Sequence, residues 1–419
     1  MSQTIKTLYP FHCIAADCED TCCRGWQVVV DREAYASYIN CRNPELGALL
    51  RKAFIVNEGG TSEADYARID MNGGACPLLE GGLCKIQALY GQDFLMRTCR
   101  FFPGCYNRVD GVLEKTLDLA CPEAARIVLF SNRPVRFHNK ASDEKEIAAI
   151  GEVPELYTAG EGSNKPYQYF FEIREFMLAL IQNRRLSLED RLVVLGLFCR
   201  DLDADCAAGQ AENTPALIRA FERRLETNGF EGIIKSVPNE PGALLKVLAT
   251  LIEYRLRTGA AGRRFAECFE EFGAGLGYGS GNPDERTALA YREAQTRYYR
   301  SCLAQDGLIF ENYFINYILG TLFPLGPQRS LLQKRMYTIQ KGIFDEYVLL
   351  AAQYAMLKVL LTGMAACHKD GFKPEHIVRL VQSFVKNIAH DTEYQKRILQ
   401  FFRDNNMNNI ACLAVMIKN

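Results

Sequence analysis

The sequence predicts a mainly α-helical protein in two parts. A small cysteine-rich α+β unit that binds metal occupies residues 1–130, and a larger all-helical domain occupies residues 167–419. Three observations lead there. Beyond residue 166, apolar residues recur at three-to-four spacing in one segment after another. Ten of the sixteen cysteines fall at positions 13, 18, 22, 23, 41, 76, 84, 99, 105 and 121, and the other six (199, 206, 268, 302, 367, 412) are scattered singly. The first third is also cut into short mixed segments, with Gly73-Gly74 and Gly81-Gly82 as turn signals around Cys76 and Cys84.

Taken in order, GWQVVVD (25–31) reads as a strand, followed by a helix over 32–40 and another over 44–55. YARIDM (66–71) alternates as a strand does. VLEKTLDL (112–119) is ambiguous, and PEAARIVLF (122–130) reads as a helix with proline in its first turn. Residues 131–166, with Pro134, Pro154 and a charged middle, read as a linker. Helices then follow over 169–185, 188–204, 214–227 and 242–258, and again after Glu285.

Composition limits the partners. The chain is 48% hydrophobic and 24% charged, and its 49 basic and 50 acidic residues leave a net charge of -1. No global field is present to hold nucleic acid or an anionic membrane, so the expected partner is another protein, met on a local surface. The N-terminal residues show no signal-peptide pattern. One long apolar run, Tyr347–Cys367, contains Gln353 and Lys358, which predicts a buried core helix rather than a span. The reading is cytoplasmic, where clustered thiols more often bind metal than form disulfides.

The cysteine spacing is C-x4-C-x3-C-C over 13–23, then C-x7-C-x14-C over 76–99, with Cys121 beyond. Neither half is a paired zinc ribbon, and Gly25 stands where a radical S-adenosylmethionine motif needs its third cysteine. Soft thiolates in this number suit an iron–sulfur cluster or zinc. His12 is a further possible ligand beside Cys13. The glycine-rich GAGLGYGSG (273–281) could cradle a phosphate or the methionine end of S-adenosylmethionine, but a helical pattern precedes it where a strand is needed, which favours an interhelix loop.

The segments YPFHC-x4-C-x3-CCRGW, CPLLEGGLCKIQ, TCRFFP and LACPEAARIVL, with ENYFINYILGTLFP at 311–324, resemble the flagellin lysine N-methylase family. The resemblance implies methyl transfer from S-adenosylmethionine to lysines of flagellin, with a [4Fe-4S] cluster. Carried onto this chain, it points to Cys13, Cys18, Cys22, Cys23, Cys76, Cys84, Cys99 and Cys121 as the metal cysteines, with Cys41 and Cys105 outside the pattern. Family members often have arginine after the proline of TCRxxP; here Gly104 follows Pro103, so that either Arg108 takes the arginine's place or the target differs.

Such chemistry needs a neutral lysine amine, against a free pKa of ~10.4. Asp70, Glu114 and Asp118 are carboxylates within reach of the cysteine segments, although a solvated role is the plainer reading of each. Asn312 and Asn316 lie one helical turn apart in an apolar run beside Glu311. The three are candidate contacts for S-adenosylmethionine, or else ties between helices. A non-catalytic metal-binding or redox-responsive adaptor, with zinc or an iron–sulfur centre, is the rival reading.

Overall fold

The computed structural model describes residues 3–25, 28–57, 63, 66–71, 74–133, 135–159, 165–258, 262–279, 283–299, 308–328 and 341–419. Trp26, Gln27, Gly73, Cys302 and the tail of the glycine-rich segment from Ser280 lie outside them. The strands among the described residues are β1 (Gln3–Thr7), β2 (Val29–Val30), β3 (Phe54–Val56), β4 (Ala67–Ile69), β5 (Leu79–Glu80), β6 (Leu83–Cys84), β7 (Gly104–Val109), β8 (Val112–Leu117), β9 (His138–Ser142) and β10 (Glu155–Leu156). From Tyr167 onward the described residues hold helices and no strand.

Local chemistry explains the short elements. The Asp31 side chain caps helix Arg32–Ile39 by accepting from Ala34 N at 2.7 Å, and Asn43 caps helix Pro44–Ala53 in the same way. The second helix stops before Ile55, because Phe54 is extended and opens β3. Asp110 and Gly111, both at positive φ, turn β7 into β8, which settles the ambiguous 112–119 segment as strand. Gly81 and Gly82 do the same between β5 and β6.

The strands form three sheets. The largest has the order β10-β7-β8-β1-β9, with β1 parallel to β8 and antiparallel to β9. Segment 131–166, read as a linker, therefore supplies both edge strands of this sheet. Its polar β9, HNKAS, lacks the apolar alternation by which a strand is recognised in sequence; backbone pairing along the whole of β1 holds it. The second sheet is antiparallel, β2-β4-β3, and the third is the β5-β6 hairpin.

Three cores share the N-terminal third, the smallest being Ile5 and Leu113 with Ile150. Val28, Val30, Tyr38, Leu50, Ile69, Leu78 and Met96 form a small core of their own. Leu8, Tyr9, Leu117, Ala120, Cys121 and helix Pro122–Leu129 instead join the core of the helical domain. At its centre runs helix Ile343–His368, wholly buried in its apolar stretch, as a soluble core helix is. Its one buried lysine, Lys358, reaches the Ile417 carbonyl at 3.0 Å and Glu189 at 3.2 Å.

The glycine-rich segment serves this packing. Helix Arg263–Leu276 includes Gly273 and Gly275 and ends at Gly277, which takes the left-handed conformation. A Cβ at Gly275 would collide with the Gly363 carbonyl and the Cys367 amide, and one at Gly363 would strike Phe272. These glycines let two helix backbones approach.

Candidate cysteine centre

The eight cysteines singled out in the sequence come from five separate elements. Cys13 follows β1, and its sulfur accepts from Ala15 N at 3.4 Å in a short 3-10 turn that leads to Cys18. The chain then reverses at Gly25, φ +78°, where Arg24 bridges to Ala75. That bridge and the Cys76 N–H donating to the Cys23 carbonyl at 2.8 Å bring the two distant cysteine segments together. Cys84 ends β6 and caps helix Lys85–Tyr90, Cys99 lies in helix Arg97–Phe101, and Cys121 caps helix Pro122–Leu129.

Their thiols share one neighbourhood. The Cys22 and Cys76 thiols both hydrogen-bond to Cys23, and these bonds pull the Cys23 thiol far below its ordinary range, helped by Thr21 and by the charge of Lys386 against the effect of burial. The same bonds to Cys23 push Cys22 and Cys76 up, with burial adding to both. Cys84 and Cys99 are raised by burial first and then by the Cys23 charge, Cys99 to about 12. Burial also raises Cys121 to about 12, and Cys18 and Cys13 lie near enough to add to it. The Cys22 and Cys23 thiols thus lie within hydrogen-bond reach of each other, although adjacent side chains usually diverge. Among the described residues, no three His, Cys, Asp or Glu side chains are gathered in the arrangement that would hold a metal ion as they stand.

The remaining cysteines are elsewhere. Cys41 packs against the small core. Cys105 on β7 faces the Gly320 carbonyl at 3.6 Å. His12 is exposed beside Cys13. At Gly104 a Cβ would meet the Tyr106 ring and the Phe101 carbonyl, so the arginine common in the family has no room here. Arg108 lies on β7 and pairs with Glu155 of the edge strand β10, 3.4 Å away.

The helical domain reaches into this centre. Gln382 Nε2 donates to Asp20 Oδ2 at 2.8 Å and to the Ala120 carbonyl at 3.0 Å. Lys386 Nζ donates to the same Asp20 oxygen and to the Thr21 carbonyl, both at 3.2 Å. Arg264 adds a bond to the Glu19 carbonyl at 3.2 Å. Lys386 stands in a π-helical turn, Val385–Ala389, an irregularity common at functional sites. No sequence pattern marks Gln382, Lys386 or Arg264, because their partners are more than 240 residues away in the chain.

The carboxylates also find partners across domains. Glu114 is buried and paired with Arg174 at 2.8 Å. Asp118 Oδ2 meets His390 Nε2 at 3.1 Å while Oδ1 accepts from Ala120 N at 2.9 Å. Burial pushes Asp118 up, but the His390 charge and these hydrogen bonds hold it below the usual carboxylate range. Neither carboxylate is a solvated surface group. Asp70 sits beside an open cleft at Gly25.

Glu311, Asn312 and Asn316 are placed differently from a ligand pocket. All three are buried on helix Ile309–Thr321. Asn312 Nδ2 donates to the Ser131 carbonyl at 2.8 Å, and Asn316 both donates to and accepts from the Leu117 backbone, at 2.8 and 3.3 Å. Glu311 pairs with Arg184 at 2.9 Å and Arg191 at 3.0 Å. A buried amide needs partners, and here the backbone of the sheet and of helix Pro122–Leu129 supplies them. Of the two readings open for these residues, the tie between elements is the one built.

A thiol-rich unit clamped by an all-helical domain is the architecture to be placed. Residues 174–416, over half of the chain, match the FliB lysine N-methylase C-terminal domain. The chain belongs to the FliB lysine N-methylase family. It is 28% identical over 398 residues to the lysine-N-methylases of Salmonella typhimurium and Salmonella choleraesuis, covering 92% of this chain and 91% of theirs. It is also 28% identical over 120 residues to the flagellar biosynthetic protein FliU of Salmonella muenchen, 28% of this chain and 71% of that protein. No solved structure matches.

Proposed function

We propose that this chain is a protein-lysine N-methyltransferase, that its substrate is flagellin, and that S-adenosylmethionine donates the methyl group. One observation carries the reading: the likeness to proteins named lysine-N-methylase spans 92% of the chain, so it takes in the cysteine unit as well as the helical domain. The flagellar name of a further relative supports flagellin as the protein acted on.

The reaction is a displacement. The lone pair of a neutral lysine amine forms the N–C bond as the methyl C–S bond breaks, and S-adenosylhomocysteine leaves. The ammonium proton must go to a base or to water first, because a charged amine has no lone pair to offer. The protein's task is to bring the amine out of water and hold it in line with the methyl group.

The donor set around Cys23 suits a [4Fe-4S] cluster: its ligands are soft, several, and drawn from elements that only the folded chain brings together. Four of Cys22, Cys23, Cys76, Cys84 and Cys99 would hold such a group, with Cys13, Cys18 and Cys121 beside them. Held by four of these thiolates, a cluster would supply rigidity; held by three, it would leave one iron open to the amino and carboxylate groups of S-adenosylmethionine. Lys386 places a positive charge by the thiolates, which offsets the repulsion among them.

Purified, anaerobically prepared protein incubated with flagellin and methyl-labelled S-adenosylmethionine tests the reading. Label on flagellin lysines, absent when those lysines are first acetylated, is the expected result. A protein that binds partners and metal but transfers no label would be the rival adaptor. Colourless protein containing zinc without iron or sulfide would remove the cluster.

A further inference from the structure

We propose that the cysteines beside the centre form a second, separate metal site, in which Cys13, Cys18, Cys22 and Cys121 hold a zinc ion. The division rests on the reading that a [4Fe-4S] cluster takes no more than four thiols, which here are Cys23, Cys76, Cys84 and Cys99. Eight thiols then leave four, the number that closes a structural zinc site. Tetrahedral sulfur ligation suits zinc or an iron–sulfur cluster. The exposure of Cys13 and Cys22 favours the ion that has no redox chemistry of its own.

The fold brings the four together. The 3-10 turn Ala15–Asp17 leads Cys13 straight into Cys18. Gln382 Nε2 reaches both Asp20 Oδ2 and the Ala120 carbonyl, at 2.8 and 3.0 Å. It thereby sets the loop just past Cys18 against the residue that adjoins Cys121. Arg126, in the helix that Cys121 caps, adds a 2.7 Å bond to Glu19. Cys13 is the meeting point, since Cys18, Cys22 and Cys121 all lie near enough to feel its charge. Cys23 plays that part for Cys76, Cys84 and Cys99. Cys22, bonded to Cys23, stands at the border between the two sets.

Three of the sulfurs already carry the hydrogen bonds of a thiolate ligand. Each accepts a backbone N–H from slightly further along the chain: Ala15 to Cys13 at 3.4 Å, Asp20 to Cys18, and Glu123 with Ala124 to Cys121. Such bonds stabilise a deprotonated sulfur and orient it. Burial opposes this at Cys18 and Cys121, and the Glu19 and Asp20 charges oppose it at Cys18. Arg126, 2.7 Å from Glu19, and Lys386, 3.2 Å from Asp20, offset those charges. A divalent ion supplies the larger part as the thiol protons leave to solvent. Among the described residues no three such groups stand ready around an ion, so binding draws in Cys13 and Cys22, which are exposed and can turn at χ1. The ion then pins the Cys13–Cys22 loop to helix Pro122–Leu129.

Metal analysis of the full-length protein tests this, after anaerobic reconstitution with ferrous iron, sulfide and zinc. Iron, sulfide and zinc are counted per chain, and zinc affinity is read by competition with a chromophoric chelator. Wild type is expected to hold about four irons and about one zinc. Cys13→Ala and Cys18→Ala should weaken zinc more than about ten-fold and keep the iron and sulfide. Cys76→Ala and Cys99→Ala should lose iron and keep zinc. Cobalt offered to Cys76→Ala in place of zinc should show the d–d bands of tetrahedral thiolate ligation. If the Cys13 and Cys18 variants lose iron together with zinc, or bind zinc as wild type does, the thiols are not divided in this way and the second site falls alone. About eight irons and no zinc would put another cluster there and overturn the zinc assignment. Zinc held through Cys13 and Cys18 in a wild type that takes up no iron would remove the cluster and leave the second site standing.

Discussion

Replacing Lys386 with methionine removes the charge that clamps the cysteine loop and keeps the side-chain stem that packs on Gly25. Lys386 and its partner Asp20 are only 11% and 17% exposed, so water replaces the lost bond poorly. A charged hydrogen bond contributes ~1.5–3 kcal/mol net, and stripping one partner from a fully buried pair costs ~3–5 kcal/mol. Asp20 keeps the Gln382 donor, which puts the expected loss at about 2–3 kcal/mol. That loss falls on the loop first, because the clamp holds Asp20 and Thr21 and little else. The reporter is the Cys76 amide, bonded to the Cys23 carbonyl. At ~1.36 kcal/mol per tenfold, its hydrogen exchange should accelerate roughly 30- to 160-fold. Amides in helix Ile343–His368 should hardly change. Unaltered exchange at Cys76 would show that the loop holds its shape without the helical domain's cation, and the clamp argument would be wrong.

Other perturbations give further checks. Asn316→Leu leaves the Leu117 N–H and carbonyl without their side-chain partner and should cost about 2–3 kcal/mol in denaturant unfolding; a loss under about 0.5 kcal/mol would mean water replaces the amide. Gly275→Ala forces apart two helices whose backbones touch at Gly363 and should cost at least about 1–3 kcal/mol, seen as a lowered melting temperature; full stability would show that the helices slide freely. His390→Gln probes the pair with Asp118. Burial lowers the His390 pKa, but the Asp118 charge and hydrogen bond raise it above its ordinary value. The pair's stabilisation is therefore complete below the free histidine's ~6.5 and fades as pH rises through the raised value. On the acid side it persists until pH falls through the lowered Asp118 value. Wild type should exceed the variant by about 1–2 kcal/mol in mildly acidic solution, with the gap closing toward alkaline pH; a gap that widens with pH would reverse the assignment.

Helices such as 214–227 were legible because they carry their own apolar stripe, and the run 347–367 because it is apolar nearly throughout. The eight cysteines stood out by residue type and crowding; of these, the Cys22 and Cys76 thiols bond to Cys23, and Cys84 and Cys99 lie near enough to feel its charge. What the sequence hid depends on contacts between distant segments. Strand β9 is polar and exists by pairing with β1, so no local signal marks it. Asp110-Gly111 did carry a hairpin signal, and weighing it would have settled 112–119 as strand. Asn312 and Asn316 showed two polar groups in an apolar helix, but only the sheet behind them reveals that backbone groups are their partners. Gly275 looked like a loop residue because the helix that needs it lies some ninety positions on. Gln382 and Lys386 are ordinary residues of an amphipathic helix until the Cys18–Gly25 loop is folded against them.

The central claim is that the thiol centre and the helical domain work together to methylate flagellin. Mass spectrometry of flagellin made in cells with this chain, or with its Cys23→Ser variant, tests it most directly. Methyl groups are expected on flagellin lysines with the wild-type chain and none with Cys23→Ser at equal protein level. Unmethylated flagellin with the wild type would contradict the activity, and full methylation with Cys23→Ser would contradict the role given to the centre.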